Sequence, residues 1–170
     1  MMAMDALVEI AEIISGGDAA VSESMAACVK DPEAYYDAHA VQFQERWIEP
    51  DENPELICWM ALVDELEAKE YVCERDWKDE KEDFLYFLGK LTGIKQLGLE
   101  LQPDWLDEDG DISEWCAVLD EKWAGRQCCV ACMDIESDSY VVFPCGFTEL
   151  ERLMALAEQA GRRIDLAEKM

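Results

Sequence analysis

The chain has 170 residues, 51% of them hydrophobic, with 40 acidic against 14 basic side chains and a net charge of −26. That length predicts one domain with a substantial core, and the apolar share excludes disorder in spite of the charge. Such acidity excludes nucleic acid and anionic membrane as partners, because both need a basic footprint, and it favours a basic protein partner.

Asp5, Glu9 and Glu12 precede the first basic residue, Lys30, so the N-terminus lacks the positive region of a secretory signal. No apolar run reaches the ~20 residues of a membrane helix. The eight cysteines lie within apolar patterns and read as reduced thiols, so the expected location is the cytoplasm.

Met4 to Ile14 places Leu7, Ile10, Ala11 and Ile14 on one helical face, stopped by Gly16-Gly17. Asp18 caps a second helix with Val21, Met25 and Cys28 inward. Asp31-Pro32 opens a third, carrying Tyr35, Tyr36, Phe43 and Trp47, and Asn53-Pro54 repeats that signature before Ile57, Met60 and Val63. Tyr71 to Cys73 reads as a short strand leading to Asp76-Trp77-Lys78. Asp79 and Glu82 read as a capping box for a helix bearing Phe84, Leu88 and Leu91. Leu97, Leu99 and Leu101 alternate as a half-buried strand would. After the acidic loop Pro103 to Gly110, Asp111 and Glu114 cap a helix with Trp115, Leu119 and Trp123.

Cys128 to Ile135 is an apolar run, Glu136 to Ser139 a turn cluster, and Tyr140 to Phe143 a second strand ended by Pro144. Thr148 and Glu151 form a capping box for the helix that follows, and Arg163 to Leu166 adds a last strand. The fold class is therefore α+β. Residues 1–70 are mainly helical and 71–170 mixed, with a small, mainly antiparallel sheet, a C-terminal hairpin, and helices packed on the sheet.

No catalytic set emerges. Along a strand, Cys128 and Cys132 point to one face and Cys129 to the other, so the cluster does not converge on a metal ion. The loop Asp104 to Asp111 places Trp105 and Cys116 where a calcium loop needs its first and last ligands, which excludes an EF-hand. His39 is the only histidine. Of the six tryptophans, Trp105 is the one expected to be exposed. With Asp104, Asp107 and Asp109 it makes a candidate docking patch. Asp134, Asp138 and Tyr140, at the hairpin, are the other candidates for binding.

The stretches Asp76-Trp77-Lys78 and Met133 to Tyr140, with the helix after them and the Ile164-Asp165 ending, resemble an uncharacterised bacterial domain-of-unknown-function family, the 6630 family. The resemblance lies mostly in the second half of the chain and implies no activity. The expected function is a non-enzymatic, immunity- or regulator-like acidic module that docks a basic protein, without cofactor. The alternative is a metal-binding protein or enzyme using the Asp134 and Asp138 carboxylates.

Overall fold

A computed structural model describes residues 4–170. The helical first part comprises α1 (Asp5–Ile14), α2 (Ala19–Lys30), α3 (Pro32–Ala38), α4 (Ala40–Glu45) and α5 (Pro54–Ala68). Then come β1 (Cys73–Asp76), α6 (Lys81–Gly89), α7 (Thr92–Gln96), α8 (Ile112–Trp123), β2 (Cys128–Met133), β3 (Ser139–Gly146), α9 (Phe147–Gln159) and β4 (Ile164–Leu166). The strands form one sheet in the order β1-β3-β2-β4, antiparallel at every pairing. The fold is α+β.

Helix α5 is the axis of the helical part. Ile57 through Val63 are all buried, so it has no polar face along that stretch, as expected of a helix surrounded by others. Helices α1, α2 and α3 pack against it. Its fully buried Trp59 donates its indole N–H to the carbonyl of Asp134 at 2.9 Å, joining the helical part to the end of β2. Strand β2 is buried at all six positions, with α8 and α9 both packed against it.

Local chemistry explains most boundaries. Asp18, Asp31, Asn53 and Asp111 each accept an N–H from the first turn of their helix. Several expectations are corrected. The single helix from Pro32 to Trp47 breaks at His39, whose ring stacks on Tyr35 at 3.9 Å and whose Nδ1 meets the Tyr35 carbonyl at 2.9 Å. The strand expected at Tyr71 begins at Cys73, because the Tyr71 N–H still closes the end of α5 on Leu66. Asp79 does not cap α6; it pairs with Arg75 at 2.6 Å.

The leucines at 97, 99 and 101 form no strand. Gly98 takes a left-handed φ of 63° and the Leu99 N–H returns to Ile94, so their alternation is the unwinding end of α7. Strand β3 does not stop at Phe143: it runs through Pro144, opposite Val130. Proline is tolerated there because β1 pairs only with positions 139–142, leaving the other side of Pro144 without a ladder partner. Helix α9 starts at Phe147, two residues earlier than its expected box implies, with the Glu149 carboxylate accepting the Gly146 N–H at 3.1 Å.

Asp120 ties α8 to β2. One carboxylate oxygen accepts the Val130 N–H at 2.7 Å, and the other is buried with no hydrogen-bond partner. Burial raises its pKa to about 6, with Glu168 adding to the rise against the Val130 hydrogen bond. Folding therefore favours the protonated form. This contribution is fully present below the ordinary aspartate range and is lost as pH rises through about 6. Asp120→Asn should flatten the dependence of urea-unfolding stability on pH between 5 and 8 by about 1 kcal/mol, after discounting for the group's partial exposure. Parallel profiles for variant and wild type would show that Asp120 does not titrate in this range.

Candidate functional site

Three depressions that share lining residues, each with the next, make up a furrow. The first, about 170 Å3, lies between α3, α4 and α5 and is lined by Tyr35, His39, Asp64 and Glu65 among others. The second, a cleft of about 610 Å3, shares Gln42, Asp64 and Ala68 with it and adds Glu45, Arg46, Glu67, Glu74 and Ser139. The third, about 340 Å3, shares Ser139 and contains Trp77, Cys132, Asp134, Asp138, Tyr140 and Arg163.

Arg46 is the middle of the furrow. Its Nε and Nη2 reach Asp64 Oδ1 at 3.0 and 2.6 Å, and Nη2 also reaches Glu74 Oε1 at 2.7 Å. One guanidinium at the end of α4 thus holds α5 and β1. Burial works against its charge, but the bonds to Asp64 and Glu74 outweigh this and hold its pKa above the ordinary value. The carboxylates fare differently. Burial raises the pKa of Asp64 and Arg46 lowers it, and with Glu74 and Glu65 adding to the rise the net shift is upward. Glu67 is raised first by burial too, with repulsion from Glu74 and Asp64 contributing. Its Oε2 accepts the Glu74 backbone N–H at 2.8 Å, capping the outer edge of β1. These carboxylates share a single cation, so their negative charge is under-compensated.

The flanks of the furrow are built differently. At one end Tyr35 donates to Glu65 at 2.5 Å, with His39 stacked on its ring. At the other, Asp134 Oδ1 accepts the Glu136 N–H at 2.7 Å, and the Ser137 hydroxyl accepts from the Ser139 N–H, fixing the hairpin turn. The Trp77 backbone N–H donates to the Asp138 carbonyl, tying this residue, whose side chain is half-exposed, to the turn. The Tyr140 phenol is raised by burial, with Asp111, Cys132 and Cys116 adding to the shift.

Of the residues expected to bind, Asp134, Asp138 and Tyr140 come together in this last cavity. Asp104, Trp105, Asp107 and Asp109 lie apart from it. Trp105 is not the exposed tryptophan: it is half-buried against the core, with the Lys122 ammonium 5.4 Å from its ring centre. Asp107 is occupied structurally, its side chain accepting from Asp109 and its carbonyl from the Trp115 indole at 2.7 Å. The exposed tryptophans are Trp47 at 90% and Trp77 at 48%. Sequence reading missed Asp64, Glu67 and Glu74, because their convergence on Arg46 depends on how α5 turns back into β1.

All eight cysteines are free and buried. Burial pushes Cys132 up to about 12, so the thiol nearest the hairpin aspartates is protonated at neutral pH. Among the described residues no group of three His, Cys, Asp or Glu side chains is arranged to hold a metal ion. Nor is any helix among them long and apolar enough to cross a membrane.

A family model described as "Domain of unknown function (DUF6630)" matches residues 6–167, and the chain belongs to that family. The match reaches well into the helical first half, beyond the part where the resemblance was concentrated. No curated protein and no solved structure matches the chain.

Arg46→Ala leaves Asp64 and Glu74 partly buried without their cation. It should cost about 2–3 kcal/mol at pH 8, below the value for a fully buried pair because all three groups retain some exposure. The loss should shrink on lowering the pH to 5, because Asp64, whose pKa burial raises, takes up its proton at a higher pH than an ordinary aspartate and then needs no partner. Chemical denaturation at both pH values checks this; an equal loss at each would mean the carboxylates are not under strain.

Proposed function

We propose that this member of the DUF6630 family is a non-enzymatic binding module whose furrow receives an extended basic segment of a partner protein. One observation carries the reading: the carboxylates crowd a continuous furrow in excess of its cations, and burial and mutual repulsion raise the pKa values of two of them. A Lys or Arg entering the furrow would offset that repulsion where solvent is partly excluded and Coulomb attraction is stronger than in bulk water. The surrounding charge of −26 would steer such a partner from a distance and would do so less as salt rises.

The bound cation would also lower the raised pKa values of Asp64 and Glu67, so binding would release protons where these groups titrate and weaken as pH falls through that range. The metal or enzyme reading of Asp134 and Asp138 has less to support it, since Asp134 spends an oxygen on its own turn and Cys132 is protonated.

Calorimetry with a blocked lysine- and arginine-containing peptide tests the reading. At low salt, Glu45→Gln with Asp138→Asn should weaken binding by about five- to tenfold and reduce its salt dependence. The charge-matched pair Asp104→Asn with Asp109→Asn, away from the furrow, should change it less than about twofold. Equal losses from both pairs would reduce the effect to overall charge and remove the furrow from the account.

A further inference from the structure

Among the described residues five helices end in the same way, with a left-handed residue whose N–H closes on the helix and whose successor bonds the carbonyl one residue further back. Gly16, Gly98 and Gly161 fill that position after α1, α7 and α9; Glu70 fills it after α5 and Trp47 after α4. Glycine belongs there because a Cβ is strained at positive φ. Glu70 has a use for its side chain, an ion pair with Lys90 at 3.5 Å. Trp47, at φ 62°, has none: it is 90% exposed, and its indole N–H has no hydrogen-bond partner among the described residues.

The strain is held in place from both sides. Arg46 is fixed by Asp64 and Glu74, while Ile48 is buried and its carbonyl accepts the Tyr36 hydroxyl at 2.7 Å. Trp47 therefore projects from a rigid base beside the furrow that Glu45 and Arg46 line. Val41, the next most exposed large apolar side chain at 66%, lies on α4, the short helix that Trp47 follows. The charge around it is negative: Glu45, Glu49, Asp51 and Glu52 are exposed neighbours, and Asp37, Glu49 and Asp51 are close enough to raise the Tyr36 phenol, though burial does so first.

Three other solvent-reaching aromatics indicate what such a ring takes. Trp77, Tyr86 and Trp105 hold the ammonium groups of Lys78, Lys90 and Lys122 at 5.1, 5.1 and 5.4 Å. Among the described residues no cation lies over Trp47.

We infer that Trp47 is the anchor at which an arginine of the basic partner stacks, its guanidinium over the indole and its donors toward the flanking carboxylates. This rests on the furrow reading and names the partner's chemistry at its rim. A planar guanidinium suits an indole face and paired carboxylates better than an ammonium does.

The test compares blocked Gly-Arg and Gly-Lys repeat peptides of equal length, by calorimetry at low salt, on wild type and on Trp47→Ala, Trp47→Gly and Trp47→Phe, with Tm recorded for each. Wild type should prefer the arginine peptide. Trp47→Ala and Trp47→Gly should each weaken it by about tenfold and abolish the preference, with the salt dependence intact, while Trp47→Phe retains part of it. Trp47→Gly should also melt about 2 °C or more above Trp47→Ala, and not below wild type, since it relieves the left-handed strain.

A Trp47→Gly protein that melts below wild type would make the tryptophan structural and overturn the inference. Unchanged arginine-peptide binding in Trp47→Ala would overturn it while leaving the furrow reading standing. Binding of neither peptide to wild type would remove both.

Discussion

The bridge from Arg46 to Asp64 and Glu74 is the constraint on which the proposed binding face depends. It joins three elements that sequence separates, α4, the middle of α5 and the edge strand β1. Its geometry requires a guanidinium, because Nη2 serves both carboxylates while Nε serves one of them. Holding α4 in this way fixes the turn after it, and hence the direction in which Trp47 points. Holding β1 leaves Glu67 free to cap the Glu74 N–H, which blunts the sheet's outer edge.

A bridge of this kind contributes less to net stability than its short distances suggest, because desolvating three charges offsets much of the attraction. What it leaves behind is a local excess of negative charge. The pKa values of Asp64 and Glu67 stay raised from their ordinary values in spite of the neighbouring cation. An excess held on a rigid frame is a standing attraction for a cation from outside. The buried axis of α5 supplies the rigidity, with Trp59 locking that axis to the hairpin through Asp134.

Much of the fold was legible because it follows from local chemistry. Aspartate and asparagine caps, the Asp-Pro and Asn-Pro helix starts, and the polar turn between two apolar runs each state their structure within a few residues. The errors came where a tertiary partner outcompeted a local signal. Asp79 had an arginine to bind, so it did not cap α6. Pro144 met no strand on its far side, so β3 continued through it. Leucine alternation at 97, 99 and 101 imitates a strand, because a helix unwinding through a glycine also spaces its side chains in that way.

The site was legible in part. Asp134, Asp138 and Tyr140 could be found because they surround one turn, and the structure gathers them in one cavity. The carboxylates about Arg46 could not, since nothing in the spacing of Asp64, Glu67 and Glu74 announces a shared cation. Trp105 and Trp47 exchanged roles for a similar reason: an acidic loop looks exposed, yet Trp105 folds back under Lys122, while a helix-end tryptophan looks buried. The most direct test of the account is site-specific carboxyl NMR titration of Asp64 and Glu67, in the free protein and with a saturating basic peptide. The account predicts values above the ordinary range in the free protein and a fall in both on binding. Ordinary values that do not move when the peptide binds would contradict it.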